Sequence, residues 1–282
     1  MIKKLLLPVL FSVLFSYINQ SSKAQEINVL SYNIRYASFN NNIENWDQRK
    51  EGVLSILKGR DFIGLQEVLP VQMNDIAKGL DETYSFFFRT RDANPETGEG
   101  SPVLFNKKRW EVLDSGFFWL SDTPEFPGSN TWGAAFSRMV TFGLFRDFIS
   151  GDSILVVNTH FDHVSQSARE KSIGLILARF KTEISKIPVI LMGDLNVTPE
   201  NPVYQKIISI NSLSDSYKKI HQEESVAGAT FHGWIDSEPQ DRIDYIFYSD
   251  PLSIIESEVL HTKHNGIYPS DHFPLNTVLK FK

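Results

Sequence analysis

Short apolar runs typical of buried strands alternate with helix-like stretches along most of this 282-residue chain, and this alternation restricts its fold more than any other feature. Residues 27–32 are rich in β-branched and aromatic residues, and residues 61–65 are typical of a short buried strand. Residues 188–192 form an uninterrupted apolar run, typical of a strand covered on both faces. Between the first two runs, residues 46–58 repeat apolar side chains at helical spacing. Strands that alternate with helices in this way predict the α/β class.

The strand and helix signals fall into two halves of similar rhythm that meet near Gly151, with no linker or low-complexity tract. Further helices are predicted at residues 71–80 and after Ser167, where residues 167–170 form a capping-box pattern. Residues 84–148 carry mainly strand signals. Two sheets packed face to face, with helices outside, would explain this rhythm, so we expect one domain.

The first 24 residues have the layout of a cleavable secretory leader. Two lysines precede a mainly apolar run over residues 5–15, and small residues stand before a predicted cleavage after Ala24. A transmembrane anchor is the alternative, but it needs about 20 apolar residues, and polar residues end this run too early. We therefore expect a signal peptide at residues 1–24 and one domain at residues 25–282. The predicted location is periplasmic or secreted, with no membrane segment after the leader is removed.

Charge and cysteine content exclude several classes of protein. The formal charge is −6, and removal of the leader with its three lysines leaves 25 basic and 34 acidic residues, a charge of −9. This balance argues against duplex DNA as the main partner, because duplex binding uses a basic surface. The chain contains no cysteine, which excludes disulfides, thiolate zinc sites and thiol nucleophiles.

Polar residues occur at the ends of the predicted core strands, where packing alone does not require them. Taken singly, each has an ordinary explanation as a turn residue, a helix N-terminal charge or a hydrogen-bonded core histidine. Taken together, they would converge where strand ends meet, which is where ligands gather in α/β folds. There are six such blocks, at residues 32–33, 65–67, 158–160, 193–196, 242–245 and 270–272.

In their order along the chain, these blocks resemble the motifs of the endonuclease/exonuclease/phosphatase superfamily of metal-dependent phosphohydrolases. The resemblance covers residues 27–282, and it implies a four-layer α/β sandwich of two packed mixed β-sheets flanked by helices, with the site at one edge of the sheets. The blocks read Tyr32-Asn33, Leu65-Gln66-Glu67, Asn158-Thr159-His160, Gly193-Asp194-Leu195-Asn196, Arg242-Ile243-Asp244-Tyr245 and Ser270-Asp271-His272.

The resemblance also implies metal ligands. Glu67 would be the principal carboxylate on Mg²⁺ or Mn²⁺, with Asn33 as a nearby or water-mediated ligand and Asp271 as a further contributor. Hard oxygen ligands of this kind suit those two ions.

Catalytic roles follow from the same resemblance. Asp194 would orient and deprotonate the attacking water, and Asn196 would hydrogen-bond the phosphate. His272, paired with Asp244, would donate to a phosphoryl oxygen, and His160 would donate to a phosphate or leaving oxygen.

Three further residues are candidates for contact with substrate. Asp162 follows the His160 block at a position where family members vary, and Arg91 and Arg138 are candidates for a basic residue on the phosphate. For each arginine the ordinary alternative, a surface or structural residue, is the more common case. Aromatic segments at residues 116–120, 131–136 and 230–234 would either pack in the core or line a pocket for a sugar, nucleobase or lipid head group.

The expected function is that of an exported, monomeric, divalent-metal-dependent hydrolase of phosphoester bonds. Its substrate would be a phosphorylated small molecule, a nucleotide or a lipid head group, cleaved as a phosphodiester or a phosphomonoester. Three alternatives stay open: an extracellular nuclease on DNA or RNA, a binding protein that keeps the fold without the chemistry, and a hydrolase that uses the same metal site on a glycan.

Overall fold

The computed structural model describes residues 26–39, 45–210, 213–222, 226–235 and 241–282. The predicted leader at residues 1–24 lies outside the described residues. No helix in the described ranges is long and apolar enough to cross a membrane.

Twelve strands and six α-helices are assigned in the described part of the chain. The helices are α1 (Trp46–Leu57), α2 (Pro70–Gly79), α3 (Gln166–Arg179), α4 (Lys181–Lys186), α5 (Pro202–Ile208) and α6 (Ser216–His221). The strands are β1 (Ile27–Asn33), β2 (Phe62–Gln66), β3 (Tyr84–Phe87), β4 (Val103–Asn106), β5 (Trp110–Trp119), β6 (Met139–Asp147), β7 (Ser153–His160), β8 (Val189–Asp194), β9 (Leu213–Asp215), β10 (Asp244–Ser249), β11 (Leu252–Val259) and β12 (Leu275–Phe281).

The strands form two six-stranded mixed sheets. The first sheet has the order β11-β12-β1-β2-β4-β3, and the second has the order β5-β6-β7-β8-β10-β9. In each sheet one central pair is parallel, β1 with β2 and β7 with β8, and the other pairs are antiparallel. The parallel pairs matter for the site, because they bring the carboxyl ends of neighbouring strands to the same edge.

Three apolar layers hold the sheets and helices together. Side chains such as Phe62, Phe145 and Ile190 fill the space between the two sheets. Another layer joins α1 and α2 to the outer face of the first sheet, and a third joins α3 and α5 to the outer face of the second. The predicted four-layer α/β sandwich is therefore confirmed, and the uninterrupted apolar run in β8 is buried at every residue.

The predicted meeting of two halves near Gly151 is wrong. Gly151 lies in the turn between β6 and β7, inside the second sheet. The chain passes from the first sheet to the second between β4 and β5, and it returns to the first sheet for its last two strands. The rhythm of strands and helices cannot reveal this return, because antiparallel neighbours can be distant in sequence.

The bounds of α1 and α2 were predicted to within one residue, whereas the start of α3 was not identified correctly and α5 and α6 were not predicted. The predicted capping box at residues 167–170 is wrong, because the helix begins at Gln166 and Ser165 is its cap. The Ser165 hydroxyl accepts a hydrogen bond from the Ala168 backbone N–H at 3.1 Å. The chain has already turned at this point, since the Asp162 carboxylate binds the N–H groups of Val164 and Ser165.

A buried amide connects the two sheets close to their polar edge. Asn158 on β7 donates from Nδ2 to the carbonyl oxygens of Leu65 and Pro102, each at 2.8 Å. Its Oδ1 accepts a hydrogen bond from Gln66 Nε2 at 2.8 Å. The sheets approach closely here because β2 has a glycine at this level: a Cβ on Gly64 would lie 2.8 Å from the Asn158 side chain.

Gly193→Ala should destabilise the protein strongly. Gly193 has φ of +143°, and an added Cβ would lie 1.9 Å from the Thr159 carbonyl oxygen on the neighbouring strand. We expect a loss of about 3 kcal/mol or more in the free energy of unfolding, measured by urea denaturation. Gly174→Ala, a partly buried position in α3, is the matched control and should change stability by no more than about 1 kcal/mol. Equal behaviour of the two variants would contradict this explanation of the glycine.

Candidate active site

The polar strand ends meet at a cavity of about 770 Å³ at one edge of the two sheets. Eight of the predicted site residues line it: Glu67, Arg91, Arg138, His160, Asp194, Asn196, Asp271 and His272. Asn33 and Asp244 are fully buried, and each is hydrogen-bonded to residues that line the cavity. Asp162 does not line the cavity. The first sheet supplies Asn33 and, just past the end of β2, Glu67. Asp194 and His160 come from the second sheet, and His272 lies in the chain just before β12.

Asp194 lies at the centre of this cluster, and it is buried. Strand register puts it opposite His160 on β7 and opposite Asp244 on β10. Its Oδ2 accepts a hydrogen bond from Asn33 Nδ2 at 3.0 Å, and its Oδ1 accepts one from the Asn196 backbone N–H at 2.9 Å. Burial, reinforced by the neighbouring Asp244 carboxylate, raises the pKa of Asp194 to about 7. A carboxylate with such a pKa can accept a proton near neutral pH.

His272 and Asp244 form a buried pair beside Asp194. His272 Nδ1 lies 2.8 Å from Asp244 Oδ2, and the opposite ring nitrogen, Nε2, lies 3.9 Å from Asp194 Oδ2. Burial alone would lower the pKa of His272, but the charge and hydrogen bond of Asp244 outweigh it and raise this pKa to about 10. The ring is therefore cationic at neutral pH, with Nε2–H available to an oxygen in the cavity.

His160 and Asn196 are in contact with each other on the other side of Asp194. Asn196 Nδ2 lies 3.1 Å from His160 Nε2 and also donates to the Phe161 carbonyl oxygen at 3.0 Å. Burial, together with the charges of Arg138 and Arg91, lowers the pKa of His160 well below its usual value. The ring is neutral, and its Nε2 accepts the Asn196 N–H, which leaves Nδ1 as its donor nitrogen. The predicted donation from His160 to a phosphate or leaving oxygen stays a prediction.

Glu67 and Asp271 face a common positive charge. The Arg35 guanidinium lies 3.6 Å from Glu67 Oε2 through Nη1 and 3.8 Å from Asp271 Oδ2 through Nε. Asn33 donates from Nδ2 to Glu67 Oε1 at 3.1 Å, while its Oδ1 accepts the Arg35 backbone N–H. The two carboxylates thus converge on a point that already accommodates a cation, and they fit a hard divalent ion. Asn33 orients the carboxylates of Glu67 and Asp194, to which its Nδ2 donates. Its Oδ1 is engaged with the Arg35 backbone N–H and does not face these carboxylates.

A second group of side chains in the described part of the chain could also hold a cation. Ligand atoms of Asp194, Asp244 and His272 lie within 4.8 Å of one another. However, the Nδ1 of His272 is engaged with Asp244, and the raised pKa of the ring favours a proton on it over a metal. Glu67 and Asp271 are therefore the better candidates for metal ligands.

Two arginines and an acid form the remaining wall of the cavity. The guanidinium of Arg91 is paired with Glu99 and lies 4.6 Å above the Phe136 ring. Arg138 Nη1 lies 4.0 Å from the same Glu99 carboxylate. Asp162 is behind this wall, where its two carboxylate oxygens accept backbone N–H groups of residues 135, 136, 164 and 165. Its role in this structure is to shape the loops that carry Arg138 and His163.

A family model described as the endonuclease/exonuclease/phosphatase family matches residues 30–272. The chain belongs to this family. Members of the endonuclease/exonuclease/phosphatase family are phosphoesterase or nuclease hydrolases that depend on a divalent metal, so the predicted family and enzyme class are confirmed. The metal's identity and the substrate stay predictions.

Solved structures and a curated relative agree with this membership. An endonuclease/exonuclease/phosphatase from Bacteroides vulgatus is 31% identical, with a TM-score of 0.83 over 92% of this chain and 100% of its own. A mannosyl-6-phosphatase from Bacteroides thetaiotaomicron is 29% identical, with a TM-score of 0.81 over 90% of this chain and 100% of its own. The CCR4-Not complex 3'-5'-exoribonuclease subunit Ccr4 of Debaryomyces hansenii is 28% identical over 79% of this chain, but the match spans only 34% of that relative.

Several residues of the site were not found from the sequence. Arg35 follows Asn33 by two positions and contacts both metal-binding candidates, yet a single arginine after a strand carries no signal of its own. Glu99 and His163 lie in loops, where spacing gives no prediction. The aromatic segments divided between the two expected roles: Phe118 and Trp119 are buried, whereas Phe136, Phe231 and Trp234 line the cavity.

Asp244→Asn should return His272 to the neutral form. The charge and hydrogen bond of Asp244 are the largest influences that raise the pKa of His272, with smaller ones from Asp194 and Asp271. Loss of the Asp244 carboxylate leaves burial as the largest influence, so we expect the pKa to fall from about 10 toward its usual 6.5 or lower. Histidine NMR titration would measure this shift, with Asp241→Asn, an exposed acid of the same segment, as the control.

The same substitution should change the pH dependence of stability. Because the folded-state pKa lies above the unfolded one, the pair stabilises the fold fully below about pH 6.5, and this contribution is lost as the pH rises through about 10. The difference in unfolding free energy between the native chain and Asp244→Asn should therefore shrink over that range. A constant difference would contradict the proposed charge state of His272.

Proposed function

We propose that this chain is a divalent-metal-dependent hydrolase of phosphoester bonds, acting as a phosphatase or phosphodiesterase on a small-molecule, nucleotide or lipid head-group substrate. The observation that carries the proposal is the environment of Asp194. A buried carboxylate with a pKa near 7 lies between a cationic histidine and the ligands suited to a hard metal, all facing one cavity. Family membership supports the reaction class.

In the proposed reaction, Asp194 orients a water molecule and takes its proton as the water oxygen bonds to phosphorus. The ester P–O bond breaks, and the leaving oxygen is protonated from solvent. His272 donates from Nε2 to a phosphoryl oxygen, where negative charge increases in the transition state. Asp244 keeps that ring cationic and fixed in orientation. Asn196 holds His160 and the Asp194 loop in position.

Glu67 and Asp271 would hold Mg²⁺ or Mn²⁺, and Asn33 would orient the Glu67 and Asp194 carboxylates. When bound, the ion supplies charge neutralisation of the phosphate. Arg35 contacts both ligands, so its guanidinium would have to move aside or share the space.

We also propose that the protein is exported as a monomer after cleavage behind Ala24, to the periplasm or the medium. The layout of residues 1–24 supports this proposal.

A nuclease is the second candidate, because the curated relative is an exoribonuclease. The charge of −9 expected after cleavage weighs against a nucleic-acid surface. Activity on single-stranded RNA and DNA oligonucleotides, compared with small phosphoesters under one metal condition, separates the two functions. Absence of all turnover alongside tight metal binding would favour the non-catalytic alternative.

Asp194→Asn should lower the rate of hydrolysis of p-nitrophenyl phosphate esters by at least about a hundredfold, since it removes the acceptor of the water proton. Hydrolysis by the native chain should require Mg²⁺ or Mn²⁺ and stop with EDTA. Asp114→Asn, an exposed acid on β5, is the control and should keep full activity. A folded Asp194→Asn protein with most of its activity would refute the role of Asp194.

Glu67→Gln should weaken metal binding, because an amide oxygen replaces a charged ligand. We expect the dissociation constant for Mn²⁺, measured by electron paramagnetic resonance, to rise by about tenfold or more. Glu111→Gln, at a partly exposed glutamate paired with Arg146, is the matched control. Unchanged Mn²⁺ affinity in Glu67→Gln would place the ion elsewhere, with Asp194, Asp244 and His272 as the next candidates.

A further inference from the structure

Arg138 carries hydrogen-bond donors that no described residue satisfies. The residue is 5% exposed and lines the cavity. Its Nη2 contacts His163 Nδ1 at 3.2 Å, but its Nε and Nη1 are buried without a hydrogen-bond partner. A buried guanidinium normally has its N–H groups satisfied, so those on Nε and Nη1 need an oxygen acceptor from outside the chain.

The nearby carboxylates balance the charge of Arg138 without satisfying its donors. Asp162 Oδ2 is 3.8 Å from Nε, and Glu99 Oε1 is 4.0 Å from Nη1, both beyond hydrogen-bond length. Asp162 is occupied by four backbone N–H groups, and Glu99 is occupied by Arg91. In this structure neither acid accepts a hydrogen bond from Arg138 Nε or Nη1.

Arg91 places a second cation against the same part of the cavity. Burial and the adjacent Arg138 charge lower the pKa of Arg91 to about 10, so it stays protonated at neutral pH. Two guanidinium groups thus share the single carboxylate of Glu99 on the cavity wall. A cavity of about 10 Å³ beside them has room for about one water, too few acceptors for all the unused N–H groups.

The arginine pair also lies close to the reacting centre. The charge of Arg138 acts on Asp194, Glu67 and His160. An anion bound by Arg138 would therefore be part of the same phosphate that the Asp194 water attacks, or an immediate neighbour of it.

We propose that Arg138, with Arg91 beside it, binds the third terminal oxygen of a phosphate monoester dianion, so that the enzyme selects monoesters over diesters. This inference rests on the proposed function. A monoester offers three terminal oxygens and two negative charges. If two of these oxygens were held by the metal and by His272, the third would be left for Arg138, which lines the same cavity. In a diester this position holds an uncharged ester oxygen with a carbon substituent, which is a poor acceptor and needs space that the buried arginines occupy.

The test compares p-nitrophenyl phosphate with bis(p-nitrophenyl) phosphate in the Mg²⁺-loaded full chain. The native protein should prefer the monoester. Arg138→Met should lower kcat/KM for the monoester by about a hundredfold or more and for the diester by less than about fivefold. Arg146→Met, a half-exposed arginine paired with Glu111, is the matched control and should change neither value.

Binding of inorganic phosphate, measured by calorimetry, gives a readout that does not depend on turnover. Arg138→Met should weaken phosphate binding by about tenfold or more, and Arg138→Lys should do so less, because it keeps the charge but not the planar fork. Glu99→Gln should strengthen binding, since it removes the carboxylate that competes for both arginines. This variant keeps the inference testable if Arg138→Met does not fold.

The results separate this inference from the proposed function. A native diester preference, equal losses on both esters or unchanged phosphate affinity in Arg138→Met would overturn the monoester inference while metal-dependent hydrolysis stands. If neither ester is cleaved, the proposed function fails, and the phosphate titrations still decide whether Arg138 is an anion-binding residue.

Discussion

Asn158 crosses from the second sheet to the first, and the meeting of catalytic groups from both sheets depends on this contact. Its amide hydrogen-bonds the Leu65 and Pro102 carbonyls and Gln66, the residue immediately before Glu67. Two residues further along β7, His160 stands opposite Asp194. A buried amide with every polar atom engaged allows one relative position of the two sheets, whereas apolar packing alone tolerates small displacements. This contact therefore constrains the position of Glu67 relative to Asp194.

Once the sheets are joined in this way, electrostatic interactions determine the protonation state of each titratable group in the site. Register puts Asp194 beside Asp244, and two buried carboxylates this close cannot both be charged without compensation. His272 supplies a positive charge to Asp244, whereas burial and the nearby Asp244 carboxylate raise the proton affinity of Asp194. Arg35 performs a similar role between Glu67 and Asp271. The site is thus a set of carboxylates with cations placed between them. Removal of any one cation should therefore shift the pKa values of several carboxylates at once.

The sequence predicted the fold class and most of the polar site because both depend on local pattern. Strands covered on both faces are uninterrupted apolar runs, and a polar residue after such a run, as at Asp194, must lie at a sheet edge. Contacts that depend on loops were beyond such reasoning: Glu99 reaches Arg91 and Arg138 through a loop path with no periodicity. The helix cap at Ser165 was missed for a related reason, since the chain is turned there by Asp162, which a local capping pattern does not include.

Backbone conformation explains a further part of what the sequence could not reveal. Of seven non-glycine residues with positive φ in the described ranges, four line the cavity: Arg35, Glu67, Asn196 and Trp234. A left-handed conformation is unfavourable for side chains with a Cβ, so each such residue requires support from its surroundings. At Glu67 that support comes from Asn33 and the Tyr36 backbone N–H, which hold the two carboxylate oxygens. The left-handed turn places the Glu67 side chain in the cavity wall, and the hydrogen bonds that stabilise the turn are the same ones that orient the carboxylate proposed to bind the metal.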